Sequence, residues 1–175
     1  MWLLYVQQVL GTGADTYWRG FRTQWLTLAP GWDAAYGLFL KGEAPLVWSY
    51  VTSEAYHREH GDSEGRYRAV IFDEGQPLQI EGASLIRGSF GKDRKGAEAS
   101  LARARAFLEF LISEEAQRRL PLKNWMMPAR RDTPLPASFA GLPKPRKLLR
   151  IEKTSALDVE RELERWAERL RKGSR

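Results

Sequence analysis

His57 and His60 stand three apart with Glu59 beside them, the first place in the chain where a metal could be sought. Two imidazoles without a third ligand at good spacing make an incomplete metal site. The chain has no cysteine, which removes thiolate nucleophiles, thiolate metal centres and disulfides. It has no G-x-S-x-G elbow, no phosphate-cradling lysine loop and no paired carboxylates in an apolar setting. No catalytic residues, metal site or cofactor are expected, and an enzyme is the least supported class. Binding residues are better supplied. Tyr50, Tyr56 and Trp125 fall in loops after expected elements, where side chains project rather than pack. Aromatic faces of this kind suit flat, cationic ligands. Gly31 and Trp32 open an expected helix, whose backbone amides suit an anion. Ser49 and Asn124 add polar groups beside them. Each aromatic has a packing alternative: Trp32 and Tyr56 as half-buried core, Trp125 with Met126 and Met127 as an apolar plug.

These residues hang on a unit running over residues 30–57. Pro30-Gly31 signals a turn. Ala34, Ala35, Leu38 and Phe39 then recur at helical spacing, with Asp33 in the first turn and Lys41-Gly42 as the stop. Residues 46–51 read as a buried strand whose end delivers Ser49 and Tyr50 to a loop. Trp48 lies inside that strand and reads as core.

Upstream, residues 2–10 and 14–25 suggest two helices, and Trp18, Phe21, Arg22 and Trp25 share one face of the second. Residues 26–29 form a short expected strand. Downstream, residues 54–59 suggest a short helix, and 67–72 and 77–86 suggest strands, with Gly82 at a bulge or close approach. Residues 88–96 form a charged glycine-rich loop, expected to be mobile. Leu101, Ala104, Phe107, Leu108 and Leu111 mark an amphipathic helix, and Ser113 caps the next, which Pro121 ends. Residues 126–153 hold most of the prolines and read as an extended crossing. Ser155 and Asp158 form a capping box for a last helix with Val159, Leu163, Trp166 and Leu170 inward.

With 175 residues, 43% hydrophobic and 29% charged, the chain has the composition of a soluble globular domain with a modest core. A net charge of +6 invites a nucleic-acid reading, with basic clusters at 92–95, 118–119, 130–131 and 144–150. The runs are short and mixed with acids and prolines, as on a solvated surface, so no nucleic acid is expected as partner. The apolar stretch 2–10 has no Lys or Arg before it and Gln7 and Gln8 within it. It reads as an internal helix rather than a signal peptide.

Five phrases carry a family resemblance: GW-x-x-AYGLFLKGEA from Gly31, SY-x-TS-x-AYH from Ser49, FDEG-x-x-LQIE from Phe72, FLEFLIS-x-EAQ from Phe107, and NWMMPA from Asn124 with LPASF behind it. In this order and at this spacing, the chain resembles the second half of periplasmic thiamine-binding proteins, the solute-binding components of thiamine ABC importers. The resemblance implies an α/β chain with an incomplete type II periplasmic-binding-protein-like fold. Residues 1–53 would belong to the second lobe, 54–65 to a hinge or loop, and 66–175 to elements returning to complete the first lobe.

It also implies thiamine or its phosphates as transported ligand. Trp32 matches a position lining the phosphate end, Tyr50 and Tyr56 match ligand-contacting tyrosines, and Trp125 matches the tryptophan that closes over the rings. An ABC transporter permease is the implied partner, and a periplasmic or extracytoplasmic location is implied too. The relatives' first half has no counterpart here. The expectation is therefore a C-terminal part, from a split or frameshifted gene or a mis-called start, working with the missing N-terminal half or a second copy. Glu54 stands where relatives often have proline, and Pro45 replaces a usual acid. Competing readings are a binder of iron(III), polyamine or phosphonate on the same fold, and a small basic nucleic-acid-binding domain.

Overall fold

The molecule is a computed structural model describing residues 2–86, 94–150 and 156–172. Its elements in chain order are α1 (Trp2–Leu10), a 3-10 turn (Gly11–Gly13), α2 (Ala14–Arg22), α3 (Trp32–Leu40), α4 (Ser53–Glu59), β1 (Gln76–Pro77), α5 (Arg94–Leu111), α6 (Glu114–Lys123), a second 3-10 turn (Ala137–Phe139), β2 (Leu148–Leu149) and α7 (Ala156–Lys172). This is an α/β chain rich in helix, with β1 and β2 pairing parallel. The backbone clusters into two compact units. One comprises Met1–Ser49, Ile71–Gln79 and Lys144–Arg175, the other Tyr50–Val70 and Ile80–Pro143.

The first unit is built on tryptophans at helical spacing. Tyr5 and Val6 of α1, Ala14 and Trp18 of α2 and Leu149 of β2 are buried together, with Phe21, Trp25 and Trp166 against them. The expected aromatic face of α2 is therefore core, and Trp48 joins the same packing, edge-on to Trp2 at 4.0 Å. The Tyr5 hydroxyl donates to the Gly75 carbonyl at 2.9 Å, fixing α1 to the entry of β1. Burial raises the Tyr5 pKa above its ordinary value, followed by the influence of Glu74 and Tyr17. Gly75 has φ 117°, and a Cβ there would meet Leu149 Cγ at 3.0 Å and the Lys147 carbonyl at 3.1 Å. The parallel pair needs glycine at that position.

α3 ends as its sequence dictates. Gly42 takes φ 76°, its N–H donates to Phe39 O at 3.0 Å, and Glu43 N–H donates to Leu38 O at 3.0 Å. That is the Schellman arrangement, which satisfies the last carbonyls of the helix.

The second unit packs Ala55 of α4 against Phe139 and Leu142, with Val51 and Trp125 at the margin. Ser113 caps α6 as expected, its Oγ accepting from Ala116 N at 3.3 Å. Gln117, buried in α6, holds the loop beyond by accepting from Ala129 N at 2.6 Å and donating to Leu111 O at 2.7 Å.

Several expectations are corrected. Segments 26–29, 46–51 and 67–72 are not strands, and of 77–86 only Pro77 lies in one. Apolar runs specify an extended backbone, but a strand exists only where a neighbour completes the hydrogen-bond ladder. Residues 26–29 and 82–86 have no backbone hydrogen bond to any described residue. Gly82 faces open space rather than a close approach. Pro121 does not end α6: Asn124 N–H still reaches Leu120 O at 2.9 Å, so the last turn closes beyond the buried ring. Phe107 and Leu163, expected inward, are exposed. The cap at Ser155, residue 170 of the inward set and most of the glycine-rich loop lie outside what is described. No described helix is long and apolar enough to cross a membrane.

Candidate functional site

The six expected ligand residues divide between the units. Gly31, Trp32 and Ser49 lie in the first; Tyr50, Tyr56 and Trp125 lie in the second, so the boundary falls inside the Ser-Tyr dipeptide.

In the first unit, Gly31 is the N-cap of α3 in extended backbone, φ −163° and ψ 170°, with no side-chain cap. Its carbonyl accepts from Ala35 N at 3.2 Å, closing the first turn. Trp32 follows, 47% exposed. One face of its indole stacks on Tyr36 at 4.8 Å and 27°. Its Nε1–H donates to Ser49 Oγ at 3.2 Å. The ring is thus held by stacking and by one hydrogen bond while remaining accessible. Tyr36, buried behind it, is a supporting residue that reading the sequence missed; its signal is the i, i+4 spacing from Trp32 on one helix face.

In the second unit, Tyr50 precedes α4 and is 52% exposed. Its carbonyl accepts from Ser53 N at 3.0 Å, which starts the turn into the helix. Tyr56 projects from α4, 37% exposed. His60 stacks on it at 4.1 Å and 27°, and Trp125 meets it edge-on at 5.0 Å and 85°. His60 and Trp125 are themselves 5.5 Å apart. The structure therefore assembles a three-ring cluster from two expected residues and one histidine considered only for metal. His57, the other histidine, turns inward and stacks on Tyr67 at 3.8 Å. Burial lowers the His57 pKa below its ordinary value, against the opposing pull of Asp62.

Trp125 has φ 53°, the left-handed region, just past the C-cap Asn124 of α6. That position normally takes glycine. A tryptophan there is strained, and strain of this kind persists where the surroundings hold it, often at ligand sites. Asn124 turns its Nδ2 to Met126 Sδ at 3.0 Å.

α4 is anchored beneath its aromatic face. The buried Glu54 carboxylate accepts from Ala69 N at 2.7 Å and from Arg68 at 3.2 Å, and it pairs with Arg58. Arg58 also reaches the carbonyls of Ser138 and Ala140. Burial pushes the Glu54 pKa up, but the Ala69 N–H and the two guanidinium groups outweigh it and hold the pKa below 4.5. Glu54 is thus a fixing point for the helix carrying Tyr56. Asp62 closes the loop after α4, accepting from Tyr67 N and Arg66 N at 3.0 Å each, and these bonds lower its pKa. A cavity of about 400 Å³ lined by Glu114, Arg130, Arg131, Asp132 and Thr133 contains none of the six residues.

Comparison with known proteins bears on these two clusters. No family model matches the chain. The thiamine-binding periplasmic protein of Brucella abortus is 43% identical over 150 residues, covering 85% of this chain and 42% of that protein. Its Escherichia coli counterpart is 41% identical over 143 residues, covering 82% and 40%. The chain resembles part of the thiamine-binding periplasmic proteins. A solved structure of a periplasmic thiamin binding protein superposes with a TM-score of 0.76 at 34% identity, over 99% of this chain and 50% of that one. The α/β organisation is therefore that of a solute-binding protein. The chain spans about two fifths of the length of the curated relatives it matches.

Proposed function

We propose that the chain is part of a thiamine-binding protein serving ABC-type import. The observation that carries this is the Tyr56–His60–Trp125 ring cluster, on a chain 40–43% identical to thiamine-binding relatives over more than four fifths of its length. Stacked and edge-on aromatic faces attract a flat cation through the ring quadrupole, about 0.5–2 kcal/mol per contact. Tyr56 and Trp125 take the thiamine rings. Tyr50, in the same unit, adds a hydroxyl contact; taken by itself, the first unit offers the α3 amides at Gly31 and Trp32, which suit an anion, with Ser49 holding the indole. Thiamine is cargo, no cofactor takes part, and the role is binding rather than catalysis.

The fold reading that accompanies this is an incomplete type II arrangement: second-lobe elements together with C-terminal elements that complete the first lobe. The same reading puts the protein in the periplasm with an ABC permease as partner. Nucleic-acid and iron(III) readings gain nothing from the site, where His57 and His60 are each engaged with a tyrosine ring.

Tryptophan-fluorescence titration with thiamine and thiamine diphosphate tests the reading. It should be run on this chain and on this chain fused behind the unmatched part of the Brucella abortus relative. Saturable quenching lost in Tyr56→Ala and Trp125→Phe is the expected result. A folded fusion that shows no saturable response to either ligand overturns the assignment.

A further inference from the structure

One nitrogen of His60 has a settled role. Nδ1 lies 2.8 Å from the Tyr56 carbonyl oxygen. A carbonyl only accepts, so Nδ1 carries the hydrogen, and in the neutral ring Nε2 keeps a bare lone pair. His60 is also the C-cap of α4, its backbone N–H donating to the His57 and Tyr56 carbonyls. Held from both ends, the imidazole stacks on Tyr56 at 4.1 Å and 27° and lies 5.5 Å from Trp125, while the residue stays exposed. One face of the Tyr56 ring is therefore taken, and Trp125 meets that ring edge-on.

A flat cation drawn to this cluster uses the electron density of the ring faces. A second proton on His60 adds at Nε2 and sets a positive charge against one face of Tyr56. That charge draws on the same quadrupole and repels the ligand's charge. A ring on the other Tyr56 face lies about two stacking distances, about 8 Å, from the imidazole, where a like charge near a protein surface lowers affinity by about three- to tenfold. The charged and titratable groups around His60 are otherwise engaged. On its own helix, His57 stacks on Tyr67, Arg58 is committed to Glu54 and to two backbone carbonyls, and Glu59 is adjacent in sequence. Asp62, in the loop that follows, accepts from the Arg66 and Tyr67 amides. From the loop after α6 comes Trp125, which brings no charge.

We propose that His60 sets the charge preference of the ring cluster: as a neutral imidazole it admits a flat cation, and as an imidazolium it excludes one. The identity of the ligand rests on the thiamine reading above; the mechanism rests on the placement of His60.

Calorimetric titration with thiamine tests this, on the chain and on the fusion described above. A neutral analogue, with carbon in place of the quaternary thiazolium nitrogen, is the control. His60→Phe keeps a neutral ring to stack on Tyr56, and His60→Arg keeps a planar group that stacks but is always charged. At about pH 8, thiamine affinity is expected within about twofold of the unsubstituted protein in His60→Phe and about three- to tenfold weaker in His60→Arg, with the neutral analogue indifferent to both. As pH falls from about 8 to about 6, the unsubstituted protein should lose thiamine affinity relative to His60→Phe, because histidine takes up its proton in this region. His57 is common to both proteins, so its titration cancels in the comparison. Equal affinities in the two variants, or parallel pH profiles for His60→Phe and the unsubstituted protein, overturn the proposal and leave the thiamine reading standing. No binding by the chain or by the folded fusion overturns both. Nitrogen-15 spectra of the free chain give a readout that needs no ligand: a neutral His60 with its hydrogen on Nε2 also overturns the proposal.

Discussion

Replacing Trp125 by glycine and by alanine separates what its backbone costs from what its ring does. Both substitutions remove the same indole, half-buried against Ala55, Phe139 and Leu142 and edge-on to Tyr56 at 5.0 Å. That loss is worth about 1–3 kcal/mol in either variant. They differ at φ 53°, which alanine must still adopt and glycine adopts freely. A residue with a Cβ pays about 1–2 kcal/mol in the left-handed region. Glycine gives back about 0.4–1 kcal/mol through the greater freedom of its unfolded chain. The difference leaves the glycine variant about 0.5–1 kcal/mol more stable than the alanine variant, the reverse of the usual order in helices. Urea unfolding followed by far-ultraviolet circular dichroism measures it; with a slope of about 2 kcal/mol per molar, the midpoints should differ by about 0.3–0.5 M. An alanine variant equal to or more stable than the glycine variant would refute the strained-cap reasoning. Under the proposed ligand role of the Trp125 ring, thiamine quenching should vanish in both.

Glu54→Ala leaves the Ala69 N–H and the Arg58 guanidinium without their buried acceptor, and should destabilise by about 2–4 kcal/mol. Glu54→Gln retains an oxygen for Ala69 and should cost less than half as much; equal losses in urea titrations would show that the carboxylate's shape is irrelevant. Gly75→Ala should cost about 1–3 kcal/mol and separate β1 from β2, given φ 117° and the 3.0 Å approach to Leu149; an unchanged melting temperature contradicts this. Stability should fall in two stages as pH drops. His57 is held below 6.5 in the fold, so the unfolded chain takes up its proton first and stability declines as pH falls below 6.5. Glu54 and Asp62 are held below 4.5 and 3.8, so their contribution is present above those values and disappears as pH falls through the depressed ones. Urea midpoints across pH 7 to 3 check both stages, and His57→Phe should flatten only the first.

The helices were legible because their information is local. Leu-Ala-Phe spacing in α5, Ser113 with two acids behind it at α6 and Lys41-Gly42 after α3 each act within a few residues. Motif order also pointed to the thiamine-binding periplasmic proteins that the chain resembles. Register and pairing were not local. Residues 26–29 and 46–51 carry strand-like side chains, yet whether such a segment enters a ladder is decided by polypeptide far away in sequence. The same distance separates Tyr56 from Trp125, which only folding brings to 5.0 Å, and Glu54 from Ala69. His60 became a ring partner because α4 presents it four residues after Tyr56 on the same face. Nor does a helical pattern reveal that Trp125 sits at φ 53°: propensity disfavours it, and only the packing around Ala55, Phe139 and Leu142 makes the strained conformation the lower in free energy.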